Sequence, residues 1–251
     1  LELSSSMAKG ISSHGDFAIT DGSITIDQAT EGIESKADMN LAGGTIRILQ
    51  ATNDGLNTGG GTGMGMGFPM GQPDGNQPDD PSATTAADET TTTETITATT
   101  TLSNTDTATD AAEESHELTI SGGTIYICAD GDGIDSNGWL VINGGAVTAA
   151  ACSDSGDAGI DATMGITING GTVAASGNMY DQIDGGAQNY VVFSFASRQN
   201  GGQTYTLQNA DGETVGTWTP ANDFTCLVVS SPDLTAGDYT LWQGDTQLAG
   251  T

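Results

Sequence analysis

A glycine turn recurs along this chain with a fixed beat, and that beat limits the fold more than any other feature. It reads Asp21-Gly22-Ser23-Ile24, Gly43-Gly44-Thr45-Ile46, Gly122-Gly123-Thr124-Ile125, Gly144-Gly145-Ala146-Val147 and Gly170-Gly171-Thr172-Val173. Gly22 to Gly44 is 22 residues, Gly123 to Gly145 is again 22, and Gly145 to Gly171 is 26, so that coil carries a small loop. A second marker keeps the same period: Gly10-Ile11, Glu31-Gly32-Ile33-Glu34, Asp54-Gly55-Leu56-Asn57, Asp132-Gly133-Ile134-Asp135 and Ala158-Gly159-Ile160-Asp161. Self-similarity at such a period marks a solenoid, in which each repeat buries its apolar face only against its neighbours.

Alternation within the repeat selects strands over helices. Before the glycine turn stand Phe17/Ile19, Met39/Leu41, Leu118/Ile120, Leu140/Ile142 and Ile166/Ile168. After it stand Ile24/Ile26, Ile46/Ile48, Ile125/Ile127, Val147/Ala149 and Val173/Ala175. Each pair has period 2, which puts both members on one face of a strand, and no run shows the 3.6-residue spacing of an amphipathic helix. Ile11, Ile33, Leu56, Ile134 and Ile160 supply a third inward position. The chain therefore reads as all-β: a right-handed parallel β-helix of about five coils of roughly 22 residues, with aliphatic columns inside. Coils about 4.8 Å apart give a stack roughly 24 Å tall.

Gly44 to Gly123 is 79 residues, which is one coil of 22 and 57 more. The excess opens with Gly59-Gly60-Gly61 and Met64, Met66 and Met70, then turns to prolines and a Thr-rich run. That composition reads as a loop, with strands open to Thr90–Leu102. The repeat stops near Ser176. Val191–Phe195, Tyr205–Leu207, Cys226–Val229 and Tyr239–Trp242 then read as antiparallel strands joined by Gly and Asp turns. The division is residues 1–57 for the first coils, 58–116 for the insertion, 117–178 for the remaining coils and 179–251 for a small antiparallel β cap.

Charge narrows the partners. The chain has 33 acidic residues against 4 basic ones, a formal net charge of −29. Almost nothing is available to neutralise phosphates, so nucleic acid and anionic membranes are excluded as partners. No segment approaches the roughly 18 apolar residues of a membrane span. Without an initiator Met or signal peptide, the chain reads as a mature or truncated product. Cys128 and Cys152 each lie two residues before an Asp in successive coils, which makes them expected neighbours. Side chains stacked on adjacent coils often miss disulfide geometry, and Cys226 is left over in any case.

The acids fall into columns. Glu31, Asp54 and Asp132 precede the glycine of the second marker, with Asp157 near the equivalent place. Glu34, Asn57, Asp135 and Asp161 follow its aliphatic residue, and Asp130 and Asp154 lie close by. Like charges about 4.8 Å apart repel by roughly 1 kcal/mol in water and more when partly buried. Calcium would relieve this, because it takes six to eight oxygen ligands. The candidate ligands are Asp130, Asp132, Asp135, Asp154, Asp157 and Asp161, with Glu31, Glu34 and Asp54 above them. The competing reading is that these Asp side chains bond local backbone N–H groups in turns. His14 and His116 stand alone, without zinc spacing.

Two aromatics point outward from the strands. Trp139 shares a column with Asp16, Asp38, Glu117 and Gly165, and Tyr126 sits between Ile125 and Ile127. They are candidate sugar-contacting residues, or plain surface packing.

The strings ELTISGGTIYICADGDGIDSNGWLVINGGAV and GITINGGTVAASG, the Gly/Met/Pro-rich insertion and the ending VVSSPDLTAGDYTLW resemble the bacterial carbohydrate-binding domain-containing proteins. These are surface β-helices related to a cellulose- and acidic-sugar-binding protein, with a fold like that of polysaccharide lyases. The resemblance covers most of the chain. It implies calcium in the Asp-rich turns, an extracellular or cell-surface location, and polysaccharide binding without an established catalytic centre. A structural adhesin or filament subunit, self-associating through coil ends and the Thr-rich segment, stays open as an alternative. A pectate-lyase-like enzyme would need a base beside the metal, and only Lys9, Lys36, Arg47 and Arg198 are cationic.

Overall fold

The computed structural model describes residues 1–59 and 116–250. The insertion, including the strands expected from Thr90 to Leu102, lies outside the described residues. Within them the chain is all-β, and three parallel ladders wind into about five coils.

The first ladder holds β1 (Glu2–Ser4), β4 (Ser23–Gln28), β7 (Thr45–Ala51), β10 (Thr124–Ala129), β13 (Ala146–Ala150) and β16 (Thr172–Gly177). The second holds β2 (Ile11–Ser13), β5 (Ile33–Ser35), β8 (Leu56–Thr58), β11 (Ile134–Ser136) and β14 (Ile160–Ala162). The third holds β3 (Phe17–Ile19), β6 (Met39–Leu41), β9 (Glu117–Ile120), β12 (Trp139–Ile142), β15 (Gly165–Ile168) and β17 (Ile183–Gly185).

Register follows the sequence columns. Ile24 pairs with Ile46, Ile46 with Ile125, Ile125 with Val147, and Val147 with Val173. Ile33, Leu56, Ile134 and Ile160 likewise stand side by side. The inward aliphatics of the central coils are almost fully buried: Leu118, Ile120, Ile127, Ile134, Leu140 and Ile142 are all 0% exposed. Each such side chain contributes roughly 2 kcal/mol of transfer free energy, so the thin core is strong because it is continuous. Phe17 and Ile24, in the first coil, are only partly buried.

Two glycine columns make the coils close. At the turn, Gly22, Gly44, Gly123, Gly145 and Gly171 hold φ between 79° and 98°, where a Cβ is penalised. The second column needs no such φ. A Cβ on Gly32 would lie 2.3 Å from the Gly55 carbonyl, one on Gly55 2.5 Å from that of Gly133, and one on Gly133 2.5 Å from that of Gly159. Those carbonyls accept the N–H groups of Ile33, Leu56 and Ile134. Here glycine is required by the proximity of the neighbouring coil.

The C-terminal strands form the antiparallel cap, and two of them also continue the stack. β21 (Phe224–Ser230) pairs antiparallel with β16, and β18 (Tyr190–Gln199) pairs with β21, so both extend the first ladder. Their continuous apolar runs follow from burial on both faces. Val192, Cys226 and Val228 join the solenoid core, while Val191, Phe193, Leu227 and Val229 join a second core. That second core lies under the sheet of β19 (Tyr205–Asn209), β20 (Thr214–Trp218), β22 (Tyr239–Gln243) and β23 (Thr246–Gly250). β21 thereby covers the edge that β16 would otherwise leave unpaired.

All three cysteines are free. The expected neighbourhood of Cys128 and Cys152 is corrected by the register: Cys128 stands beside Ala150, two residues short of Cys152. The Cys128 thiol instead faces Asn222 Oδ1 of the cap at 3.3 Å.

Candidate functional site

The second ladder carries the acidic columns. Glu34, Asn57, Asp135 and Asp161 are consecutive register partners. Their column begins with its own counter-ions. Lys9 and Lys36 both donate to Glu34 Oε1, and Ser12 Oγ donates to its Oε2 at 2.9 Å. Burial pushes the Glu34 carboxyl up, but these three donors outweigh it and hold it at about 2. The two lysines of the chain are thus spent on one buried carboxylate. Glu34→Gln is expected to lower stability by about 3 kcal/mol, the low end for breaking a buried ion pair because both lysines keep some solvent. A thermal melt of the variant checks this, and a midpoint within 2 °C of the parent (about 1 kcal/mol or less) would show the pairs to be of little consequence.

Further along the column no lysine follows. Asp54 Oδ1 accepts the Asp132 N–H at 3.0 Å, and Asp132 Oδ1 accepts the Ala158 N–H at 2.7 Å. Each carboxylate therefore uses one oxygen on the backbone of the next coil, a bond between coils and not the local turn bond of the competing reading. Asn57 Nδ2 donates to Asp54 Oδ2 and to Asp135 Oδ2, both at 3.0 Å. That leaves Asn57 Oδ1 buried without a partner, and Glu31 Oε2 is in the same position. An unpaired buried oxygen costs roughly 1–3 kcal/mol.

The electrostatics are correspondingly tense. Burial pushes the Asp132 carboxyl up to about 7, with Asp161, Asp157 and Asp54 adding repulsion against the one backbone bond from Ala158. Burial also raises Asp135 to about 7, helped by Asp54, Asp161 and Glu31. Asp161 is raised by burial and then by Asp181, Asp54 and Asp157. Burial raises Glu31 as well, against a hydrogen bond from Asn53.

The expected ligand set therefore separates. Glu31, Asp54, Asp132, Asp135, Asp157 and Asp161 act on one another, joined by Asp181, which the repeat did not expose. Asp154 points elsewhere: its Oδ1 is 2.9 Å from Arg198 of the cap. Asp130 is exposed and acts on the Cys128 thiol beside it. Glu34 is neutralised by lysine. Among the described residues no three His, Cys, Asp or Glu side chains converge on a metal-sized point, so an ion here would have to draw on Asn57 and on backbone oxygens too. All of these are hard oxygen donors of the kind calcium takes.

The two outward aromatics do not form one platform. Tyr126 lies on the first ladder between Arg47 and Thr148, and the Arg47 guanidinium sits 5.1 Å from its ring centroid. Trp139 lies on the third ladder between Glu117 and Gly165, as its column predicts, and is 38% exposed. On the same outer face, a cleft of about 350 Å³ runs over β3, β6 and β9.

A family model for carbohydrate-binding domain-containing proteins matches residues 1–155. The chain belongs to this family. No curated protein and no solved structure matches it. The match takes in the insertion, most coils of the stack, Tyr126 and Trp139, and ends before Asp157, Asp161 and the cap. A carbohydrate-binding role follows for the chain, and no described helix is long and apolar enough to cross a membrane.

Proposed function

We propose that this chain is a non-catalytic, extracellular polysaccharide-binding module whose acidic furrow takes up calcium. The observation that carries the calcium reading is the pair of orphaned buried oxygens, Asn57 Oδ1 and Glu31 Oε2, beside Asp132, Asp135 and Asp161, none of which forms an ion pair with a described Lys or Arg. Asp54, Asn57, Asp132, Asp135 and Asp161, with Glu31, would hold the ion. It would neutralise repulsion between coils, so its part is structural. The non-catalytic reading is supported by the cations. Lys9 and Lys36 are bound to Glu34, Arg198 to Asp154, and Arg47 lies on Tyr126. None stands beside Asp132 or Asp135 to take a proton from a sugar.

Thermal unfolding after chelation, with calcium titrated in at constant ionic strength, tests the metal. A ligand that binds only the folded chain adds about 2.7 kcal/mol at a hundredfold excess over its Kd. That corresponds to roughly 5–11 °C in Tm for a chain of this size. A rise no larger than magnesium gives would sink the calcium reading. Retention of the calcium-loaded chain on a panel of immobilised polysaccharides tests the binding role separately.

A further inference from the structure

The outer face of the third ladder carries features that the acidic furrow does not explain. Its cleft is lined by two outward columns, Asp16–Asp38–Glu117 and Ala18–Asn40–Thr119. Asp38 Oδ1 accepts the Glu117 N–H at 2.9 Å, and Thr119 Oγ1 donates to Glu117, so these side chains are held in place rather than free in solvent. The volume falls at the small end of ligand sites. The next member of the first column is Trp139, and the one after it is Gly165.

Gly165 decides what the indole does. A Cβ at this position would lie 2.9 Å from Trp139 Cζ3. Because it is absent, the ring leans over the neighbouring strand's backbone while remaining 38% exposed. An aromatic ring over this glycine, beside the Asp184 carboxylate, open to solvent and one rung from the Glu117 wall of a cleft of hydroxyl, amide and carboxylate groups, combines the two halves of sugar chemistry. The ring packs against the apolar C–H face of a pyranose. The polar groups meet its hydroxyls, with carboxylates as the stronger acceptors.

We propose that this face is the glycan-binding surface, and that an extended, uncharged glycan lies along the stack with one ring on Trp139 and the following rings over the Glu117–Asp38–Asp16 column. Coils rise about 4.8 Å each, close to the length of one pyranose in an extended β-linked chain, so successive sugars meet equivalent positions. Three carboxylates in one column set the selectivity. Neutral hydroxyls are good partners for them, whereas a polyuronate would bring its own negative charges against them on a chain already carrying −29. The assignment rests on the carbohydrate-binding role and adds its location and its charge preference.

The test uses the full chain, calcium-loaded, with hydroxyethyl cellulose as the neutral glycan and polygalacturonate as the acidic one, read by calorimetry and affinity electrophoresis. Trp139→Ala and, separately, Asn40→Ala are the variants. Both sites are exposed on the outer face, and Tm is recorded for each. The expected result is binding to the neutral glycan, weakened at least tenfold by Trp139→Ala and severalfold by Asn40→Ala with Tm unchanged, and no binding to polygalacturonate. Parental affinity in both variants would overturn the surface while leaving the carbohydrate-binding role intact. A preference for polygalacturonate would overturn the charge argument. Failure of the parent chain to bind any glycan in the panel would instead remove the carbohydrate-binding role, and the assignment with it.

Discussion

Gly55→Ala is expected to be among the most damaging single-methyl additions in this chain. Its new Cβ would stand 2.2 Å from Ile127 Cγ2 and 2.5 Å from the Gly133 carbonyl oxygen. The side chain is fully buried, and the carbonyl accepts the N–H of Leu56, the residue next to the substitution. Relief therefore means moving a coil and lengthening its bond to the next one. Overpacking of this kind costs about 3 kcal/mol or more, roughly 6–12 °C in Tm. Gly15→Ala is the control: a Cβ there meets nothing within 4 Å, and the change should stay within about 0.5 kcal/mol. Equal melting of both variants would show that the glycine column does not set the coil spacing.

Without calcium, the chain should lose stability as pH rises from 4 to 7. Asp132 and Asp135 keep their protons up to about 7 when folded and release them near 3.9 when unfolded. Across that window the folded chain binds more protons, so raising the pH favours unfolding. Glu34 works in the opposite direction: its stabilisation is lost as pH falls through its ordinary 4.5 towards about 2, so it offsets a small part of the loss at the acid end of this window. Discounted for the water that still reaches both aspartates, the loss is about 3 kcal/mol. Urea midpoints at pH 4, 5.5 and 7 in the presence of chelator measure it. Asp132→Asn with Asp135→Asn should flatten the profile, and added calcium should restore stability at pH 7 but not at pH 4, where protonated carboxyls are poor ligands. A profile already level in the parent would mean that the aspartates ionise freely.

How much of this was legible in the sequence follows from how far apart the causes lie. The coils were readable because each carries its own complete code: a glycine turn, two inward pairs and a third aliphatic, all within about 22 residues. Ile33, Leu56, Ile134 and Ile160 had only to be lined up by period to become neighbours. The acidic column was readable for the same reason. The repeat could not reveal which of its members stay unpaired. Arg198 takes Asp154 from 44 positions away, in the non-repeating cap. Lys9 and Lys36 meet on Glu34 from two different coils. Asp181 reaches Asp161 from beyond the last glycine turn. Asn57 was visible as a column member, but its stranded oxygen depends on both neighbouring carboxylates claiming its amide. The lean of the indole over Gly165, one rung beyond the cleft, follows from three-dimensional packing between coils.

The corner where the chain leaves the stack has a use of its own. Gly59 donates its N–H to Ser35, in the coil before, and the His116 carbonyl accepts the N–H of Trp139, in the coil after. Between these two anchors the ladders ignore the interruption: Leu56 pairs with Ile134 and Met39 with Leu118 as if no residues intervened. The same corner is spanned by three residues elsewhere, as at Ser35-Lys36-Ala37. It behaves as a docking port cut into a ladder whose rungs are already fixed. Shortening or lengthening the segment between Gly59 and His116 is therefore expected to change the melting of the coils by no more than the slow cost of loop closure, about 0.6 kcal/mol for each doubling of its length.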